Sequence, residues 1–236
     1  RKLVGGTSKL FAPDLSVSYT GYQVIKFNID DDSYEASGIC WNCLPILRYA
    51  EVLLNYAEAK AELGEFDDAV WDKTIKPLRE RAGVKSIYPT AADPYMVEYF
   101  QNQVTDPFIL EVRRERGIEL TMENSRYQDI IRWHQGELFA RPWKGVWISA
   151  VDTPLDLNAD GTPETIVTAN PKLQSTLNIL MIDGASEAGH KLSRGTSGNI
   201  LPSTALERKW QDYKYVKPIP TTARQENPNL TQNPKW

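Results

Sequence analysis

The chain has 236 residues, and its 27 basic and 31 acidic side chains give a net charge of −4. A chain of this length forms one large domain or two small ones and can bury a sizeable core. The mild acidic balance excludes a nucleic-acid binder that depends on bulk positive charge, and 41% of apolar residues excludes a disordered polyelectrolyte. No run of about 18 apolar residues is present, so no membrane-spanning helix is predicted.

The first 44 residues predict loops with one short strand. Tyr22, Val24 and Lys26 alternate with their neighbours between a glycine and three aspartates, which is typical of a strand. Residues 40–43 form a C-x-x-C motif directly before a helical pattern. No βαβ pattern surrounds this motif and no second pair of metal ligands accompanies it, so two plain thiols or a local disulfide are predicted.

Residues 45–133 predict a helical platform. Pro45 is expected in a first helical turn and Gly64 at a helix end. A second helical stretch follows within a few residues, and such a short connection favours an antiparallel hairpin. The hairpin fits either a tetratricopeptide-like repeat or a plain helix pair. The predicted apolar face of the first helix recurs at spacings of three and four: Leu47, Ala50, Leu54, Ala57 and Ala61.

A charged stretch follows two Asp-Pro pairs at residues 93–94 and 106–107, which are N-cap and first-turn signals. Residues 107–133 predict mostly helix. Dense charges of this kind are typical of a solvated face, but interleaved apolar residues indicate that some of them lie near the core, where they need partners. Pairs spaced to meet on one face are Arg116/Glu119, Arg126/Asp129 and Asp129/Arg132.

Residues 134–236 are rich in Gly, Pro, Asn, Ser and Thr, and predict a loop-rich part with one short helix around residues 204–213. The predicted organisation is therefore one region, 1–236, with loops and a strand in 1–44, helices in 45–133 and loops in 134–236. A hundred residues of loop are unusual in a compact domain unless the loops pack on a scaffold and carry function.

The sharpest local motif in this part is D-x-N-x-D-G. It places oxygen-bearing side chains at positions 1, 3, 5 and 9 of a calcium loop: Asp156, Asn158, Asp160 and Glu164. Position 12 is Val167 rather than Glu and no helices are predicted beside it, which excludes an EF-hand. The motif predicts either a lone structural calcium site or an Asx turn that closes on its own backbone.

Catalytic motifs are missing from the sequence. His134 and His190 lie far apart, and there is no H-E-x-x-H zinc pattern, nucleophile elbow or phosphate-binding glycine loop. We therefore predict that the protein is not an enzyme. A glycosidase needs only two carboxylates, so a surface glycosidase is kept as a less favoured alternative.

Four segments resemble a known family in order and spacing. They are RYAEVLLNYAEA at 48–59, RERAGV at 79–84, ERGIEL with RYQDIIRW at 115–120 and 126–133, and PIP with NPNLTQNP at 218–220 and 227–234. Together they are similar to the signature segments of the SusD/RagB family, which comprises cell-surface lipoproteins of Bacteroidetes-type bacteria. The resemblance covers most of the chain and corresponds to the C-terminal half of a family member.

The resemblance implies a mainly α fold with tetratricopeptide-like hairpins, a long loop-rich C-terminal region and little β structure. It implies non-catalytic binding of a glycan or another nutrient at the outer-membrane surface, with an oligosaccharide or polysaccharide ligand and no nucleic acid. A SusC-like TonB-dependent transporter would take the ligand in, and an N-terminal lipid anchor outside this chain would hold the protein on the membrane. A tetratricopeptide-type protein-interaction scaffold is the alternative function.

Aromatic residues in loops are the predicted ligand-binding residues. Sugar rings pack their C–H faces on aromatic rings, while amide side chains serve the hydroxyl groups. Trp71 and Trp133 fall in helical stretches and are expected in the core. The predicted ligand-binding residues lie in loop-like segments: Trp41, Asn42, Trp143 and Trp147. For each of them, structural packing is the alternative role.

Overall fold

A computed structural model describes residues 18, 20–22, 24, 26–27, 43–156, 161–163, 165–182, 191–202 and 207–236. Helices hold 37% of the described residues and strands 10%, which confirms the mainly α fold with little β structure. The chain divides into two compact units, one comprising Arg1–Leu44 with Phe139–Lys209 and the other Pro45–Leu138 with Trp210–Trp236. Among the described residues, no helix is both long and apolar enough to cross a bilayer.

The second unit is helical. Its six main helices are α1 (Tyr49–Glu62), α2 (Asp68–Lys73), α3 (Ile75–Arg81), α4 (Pro94–Tyr99), α5 (Pro107–Glu119) and α6 (Arg126–Arg132). A 3₁₀ turn at Asp212–Tyr215 and α7 (Thr221–Glu226) follow near the C-terminus. Another 3₁₀ turn, Gly136–Ala140, spans the boundary of the two units along the chain. The predicted helical hairpin is formed by α1 and α2, which are joined by five residues.

The bounds of α1 differ from the prediction at one end only. The helix begins at Tyr49 rather than near Pro45, and the predicted core residue Leu47 is exposed. Its end at Gly64 is as predicted, because Gly64 has φ of +68° and its N–H donates to the carbonyl of Ala61. The N–H of Glu65 donates to the carbonyl of Lys60, which completes a Schellman motif.

The break between α2 and α3 explains the position of Pro77. Thr74 interrupts the helix, and its hydroxyl donates to the carbonyl of Val70 at 2.6 Å. Because α3 starts at Ile75, Pro77 lies in a first turn, where its missing N–H removes no intrahelical bond.

The core of the helical unit lies between α1, α2, α3 and α5. Phe66 stacks on Phe108 with ring centroids 5.0 Å apart, so the α1–α2 connection is fixed against the first turn of α5. The buried members of this core are Ala50, Leu54, Ala57, Ala61, Phe66, Val70, Trp71, Ile75, Leu78, Val112 and Leu120. Trp71 and Trp133 are both buried, as predicted.

The stretch predicted as mostly helical, 107–133, is two helices separated by a turn. The carboxylate of Asp106 accepts hydrogen bonds from the N–H groups of Phe108 and Ile109 and so caps α5. Met122 and Asn124 adopt left-handed conformations with φ of +65° and +64°, and these end the helical path before α6 starts.

The first unit contains two small sheets. One has the order β1 (Trp147–Ile148), β6 (Gly198–Leu201), β5 (Lys191–Leu192), with antiparallel pairs. The other has the order β2 (Pro154–Leu155), β3 (Thr165–Thr168), β4 (Asn178–Met181), with β3 and β4 parallel. Their apolar core consists of Ile148, Leu155, Val167, Leu180, Ile182, Leu192 and Ile200.

Two predicted elements are wrong over the residues that the structure describes. Of the predicted strand near Tyr22, the described positions are not in a strand, and Phe27 has φ of +64°, which stops an extended path. Of the predicted helix at 204–213, residues 207–211 are not helical. The Trp210 ring packs edge-on against Tyr215. A Cβ on Gly136 would lie 1.9 Å from the indole of Trp210, so this indole packs directly on the Gly136 backbone. Tertiary packing of Trp210 therefore overrides the local helical pattern.

The N-cap of α5 provides a stability test. Replacing Asp106 by Ala removes the acceptor for two N–H groups, and we expect a loss of about 0.5–2 kcal/mol in the free energy of unfolding. Asp72→Ala is the control, because Asp72 forms only an exposed pair with Lys76. Urea unfolding followed by circular dichroism measures both, and equal losses would contradict the capping role.

Candidate functional site

The charged stretch of α5 and α6 is largely buried. The sequence allowed either a solvated charged face or charges that lie near the core with partners, and the structure favours the second. Six charged residues of the helical unit are at most 8% exposed as whole residues: Glu58, Glu111, Arg113, Glu115, Arg116 and Asp129.

Arg116 is the centre of the buried network. Its Nη2 and Nε atoms donate to the two oxygens of Asp129 at 2.9 and 3.1 Å, and its Nη1 donates to Asn55 at 2.6 Å. Glu58 lies 3.4 Å from the Arg116 Nε and accepts hydrogen bonds from Arg132 and from the indole of Trp133. The network therefore joins α1, α5 and the end of α6.

Of the three pairs predicted from spacing, only Asp129/Arg132 is formed as an ion pair, with 2.8 Å between Oδ1 and Nη2. Arg116 instead pairs across helices with Asp129, and Arg126 donates to the hydroxyl of Tyr99. Glu119 accepts from Arg48 and Arg81 rather than from its own helix. Long-range partners replace local ones because the helices pack these charges face to face.

Two further pairs attach other helices to α5. Arg79 of α3 donates to Glu111 at 2.5 Å and to Glu115 at 2.8 Å. Arg48, the residue before α1, donates to Glu119 and Glu123. The hydrogen bond with Glu123 raises the pKa of Arg48 above its ordinary value, which is the direction a favourable pair gives.

A depression of about 590 Å³ lies beside this network. Its wall contains the carboxylates of Glu58 and Glu62 and three guanidinium groups. Glu58 is paired with Arg132 and Arg116, and Glu62 lies 3.6 Å from Arg113. The depression therefore offers polar contacts of both signs, with its carboxylates held in ion pairs. Its lining is Asn55, Glu58, Ala59, Glu62, Arg113, Arg116, Arg132 and Trp133.

The predicted ligand-binding residues Trp143 and Trp147 lie in the first unit, and both are open to solvent. Trp143 is 58% exposed and Trp147 is 46% exposed. The guanidinium of Arg208 lies 4.3 Å from the ring centroid of Trp143, and that of Arg194 lies 5.0 Å from the centroid of Trp147. Each exposed indole thus has a cation over its face, which orients the ring and adds hydrogen-bond donors beside it.

The backbone that carries the two tryptophans is held on both sides. The N–H of Gly145 donates to Ile200 of β6 at 2.7 Å, and the N–H of Val146 donates to Thr20 at 2.9 Å. A Cβ on Gly145 would lie 2.3 Å from the Thr20 carbonyl oxygen, so only glycine fits there. Sugar-binding sites are usually largely preformed, and this segment meets that requirement.

Sequence reasoning missed Arg194 and Arg208. Both are distant in sequence from the tryptophans that they cover, and nothing local marks them. The other predicted residues, Trp41 and Asn42, lie outside the described residues, so their role stays a prediction. Cys40 also lies outside them, and Cys43 is exposed.

The predicted calcium loop is described only in part. The Asp156 carboxylate accepts a hydrogen bond from the N–H of Gly161 at 2.7 Å, so the loop closes through its first residue. Asn158, Asp160 and Glu164 lie outside the described residues. This closure fits both the Asx turn and the calcium loop, so calcium stays a prediction.

Thermal unfolding separates these two interpretations. A calcium loop predicts that calcium raises the Tm, because a ligand that binds only the folded state stabilises it, and that EDTA reverses the rise. Asp156→Asn should then reduce the shift. A self-closing Asx turn predicts the same Tm with calcium and with EDTA.

The ion network gives a second stability test. Arg116→Ala leaves Asp129 and Glu58 with fewer partners, and breaking such a buried pair costs about 3–5 kcal/mol of the free energy of unfolding. Arg81→Ala is the control, because Arg81 is half-exposed and its pair with Glu119 is worth less than about 1 kcal/mol. Urea unfolding measures both, and similar losses would contradict a special role for Arg116.

Comparison with known proteins gives three results. The model of the SusD family matches residues 6–236. No curated protein matches the chain. Among solved structures, a SusD-like protein from Bacteroides fragilis NCTC 9343 is similar, with 21% identity, a TM-score of 0.47, and coverage of 81% of this chain and 25% of that protein. The protein BT4246 is similar with 21% identity, a TM-score of 0.49, and coverage of 80% and 23%.

The chain thus spans about a quarter of the length of the solved proteins that it resembles. The family match, in contrast, extends over nearly the whole chain and includes all four signature segments. On this match, the chain belongs to the SusD family.

Proposed function

We propose that the protein binds a glycan or another nutrient without catalysis at the outer-membrane surface and delivers it to a SusC-like TonB-dependent transporter. The observation that carries this proposal is the family match over residues 6–236. The transporter partner and the attachment to the outer membrane by a lipid anchor rest on the same family membership.

The exposed indoles of Trp143 and Trp147 support the binding role. A flat aromatic ring that stays open to water can take the C–H face of a sugar, and the guanidinium groups of Arg194 and Arg208 can donate to hydroxyl groups at its edge. The segment is fixed at Gly145, so little ordering is needed when ligand binds. These features favour stacking and hydrogen bonding with no bond broken.

The state of the clustered carboxylates supports the absence of catalysis. A glycosidase needs one carboxylic acid and one carboxylate flanking a bond. In the helical unit, the buried carboxylates of Glu58, Glu111, Glu115 and Asp129 each face an arginine. Their oxygens are already held by guanidinium groups, so these four carboxylates are not free to flank a glycosidic bond.

Binding by the tryptophans is tested with the full-length protein and a panel of soluble oligosaccharides of different linkage. Tryptophan fluorescence follows the titration, and chromatography then shows whether the sugar stays intact. We expect a saturable change with intact sugar, and we expect Trp143→Ala and Trp147→Ala each to weaken binding roughly tenfold, since stacking of a ring is worth about 0.5–1.5 kcal/mol beyond the area it buries.

Trp236→Ala is the matched control. Trp236 is also 46% exposed, but it lies in the helical unit, where its indole donates to the carbonyl of Val216. Its replacement should leave the affinity unchanged. Cleaved sugar would favour a glycosidase, and no response across the panel would favour an interaction scaffold; either result overturns the proposal.

A further inference from the structure

A second depression of the helical unit differs from the first in its charge. It has a volume of about 360 Å³ and lies against α4, α5 and the start of α6. Its lining includes three arginines, Arg113, Arg114 and Arg126, and no carboxylate. Apart from Thr121, the remaining side chains of the wall are apolar or aromatic.

The arginines of this wall have unused hydrogen-bonding capacity. Nε and Nη1 of Arg113, Nε of Arg114 and Nη1 of Arg126 are buried and make no hydrogen bond with any described residue. Arg113 is only 8% exposed, and burial lowers the pKa of its guanidinium. Buried donors without an acceptor cost free energy, which an entering anion offsets.

Existing partners neutralise the wall only in part. Arg114 is paired with Asp93 and lies 3.4 Å from Glu111. Arg113 lies 3.6 Å from Glu62, and its guanidinium lies over the rings of Phe100 and Trp133. Arg126 donates to the hydroxyl of Tyr99 at 3.1 Å and lies over the ring of Trp133, 5.6 Å from its centroid, and no carboxylate of the described part of the chain pairs with it. The charge of Arg126 is therefore the one in this wall that no described carboxylate pairs with.

Gly117 leaves room for the guanidinium of Arg126. A Cβ at residue 117 would lie 3.3 Å from the Nη1 of Arg126, so a side chain there would shift the guanidinium by a few tenths of an ångström. Beside it, Tyr95, Ile118 and Met122 are each more than 60% exposed and form an apolar rim. The depression thus combines a wall of arginines with an exposed apolar rim on which a flat apolar group can pack.

We propose that this depression binds the acidic group, carboxylate or sulfate, of an acidic carbohydrate. The anion lies at Arg113, Arg114 and Arg126, and the C–H face of the ring packs on Tyr95 and Met122. Arginine suits this task because its planar fork matches both carboxylate and sulfate oxygens. The inference rests on the proposed function and adds the chemical class of its ligand.

The test uses the full-length protein and calorimetric titration with trigalacturonate and its fully methyl-esterified form. These two probes have the same rings and differ in charge. We expect the acid to bind at least tenfold more tightly than the ester, with an affinity that falls as salt rises. Sulfated and unsulfated chondroitin oligosaccharides, compared in the same way, distinguish sulfate from carboxylate.

Two sets of variants locate the site. Arg126→Gln should weaken binding of the acid roughly tenfold, whereas Arg81→Gln, an equal charge change outside the depression, should not. Ile118 is 65% exposed, so Ile118→Glu and Ile118→Gln should both fold. The glutamate should weaken binding of the acid at least fivefold relative to the neutral, nearly isosteric glutamine.

Equal affinity for acid and ester would overturn the inference, as would a preference that Arg126→Gln and Ile118→Glu leave unchanged. Binding of neutral sugars alone would overturn it while leaving the proposed function intact. Acid binding that survives Trp143→Ala with Trp147→Ala but is lost in Ile118→Glu would support the inference independently of the tryptophans. No binding of any sugar would overturn both proposals.

Discussion

Buried pairing of arginine with carboxylate is the interaction on which the helical unit depends. Taking charges out of water is costly, and a buried pair is tolerated only when its geometry and its additional hydrogen bonds are good. Arg116 meets this requirement with Asp129, Asn55 and Glu58. Because these partners lie on α1 and α6 while Arg116 lies on α5, the pairs fix which helices meet and in which register.

The same constraint explains why the family signature is rich in charge. Arg48 directly precedes α1, Glu58 lies in α1, and Arg79 lies in α3. Their partners Glu119 and Glu115 lie in α5, and Arg132 lies in α6. The first two segments that resemble the family, 48–59 and 79–84, therefore form ion pairs with the third, 115–120 and 126–133. A C-terminal counterpart is Gln232, whose side-chain amide bonds both the N–H and the carbonyl of Ile219 and so holds the PIP segment.

The two units divide the physical tasks. In the helical unit, charge is buried and matched, except in the depression where Arg126 faces a neutral phenol. In the sheet-containing unit, short strands and Gly145 hold exposed indoles on a rigid backbone. The first arrangement leaves guanidinium donors without acceptors at one depression, and the second leaves aromatic rings open to solvent.

The sequence by itself determined the elements whose causes are local. Apolar spacing predicted the buried face of α1, the Asp-Pro pairs predicted the starts of α4 and α5, and Gly64 predicted a helix end. These features depend on neighbours within a few residues, so they can be predicted from the sequence alone. The four signature segments were recognisable for the same reason, since their order and spacing are properties of the chain.

Only the tertiary structure decided which charges pair, and which aromatic residues stay exposed. Arg116 faces Asp129 rather than Glu119, Arg208 covers Trp143, and Trp210 packs near Gly136 instead of continuing a helix. Each outcome depends on residues distant in sequence, and long-range contacts override local propensity where burial is at stake. The physical reason is that desolvation of a charge or a ring depends on everything that surrounds it, which the order of residues along the chain does not show.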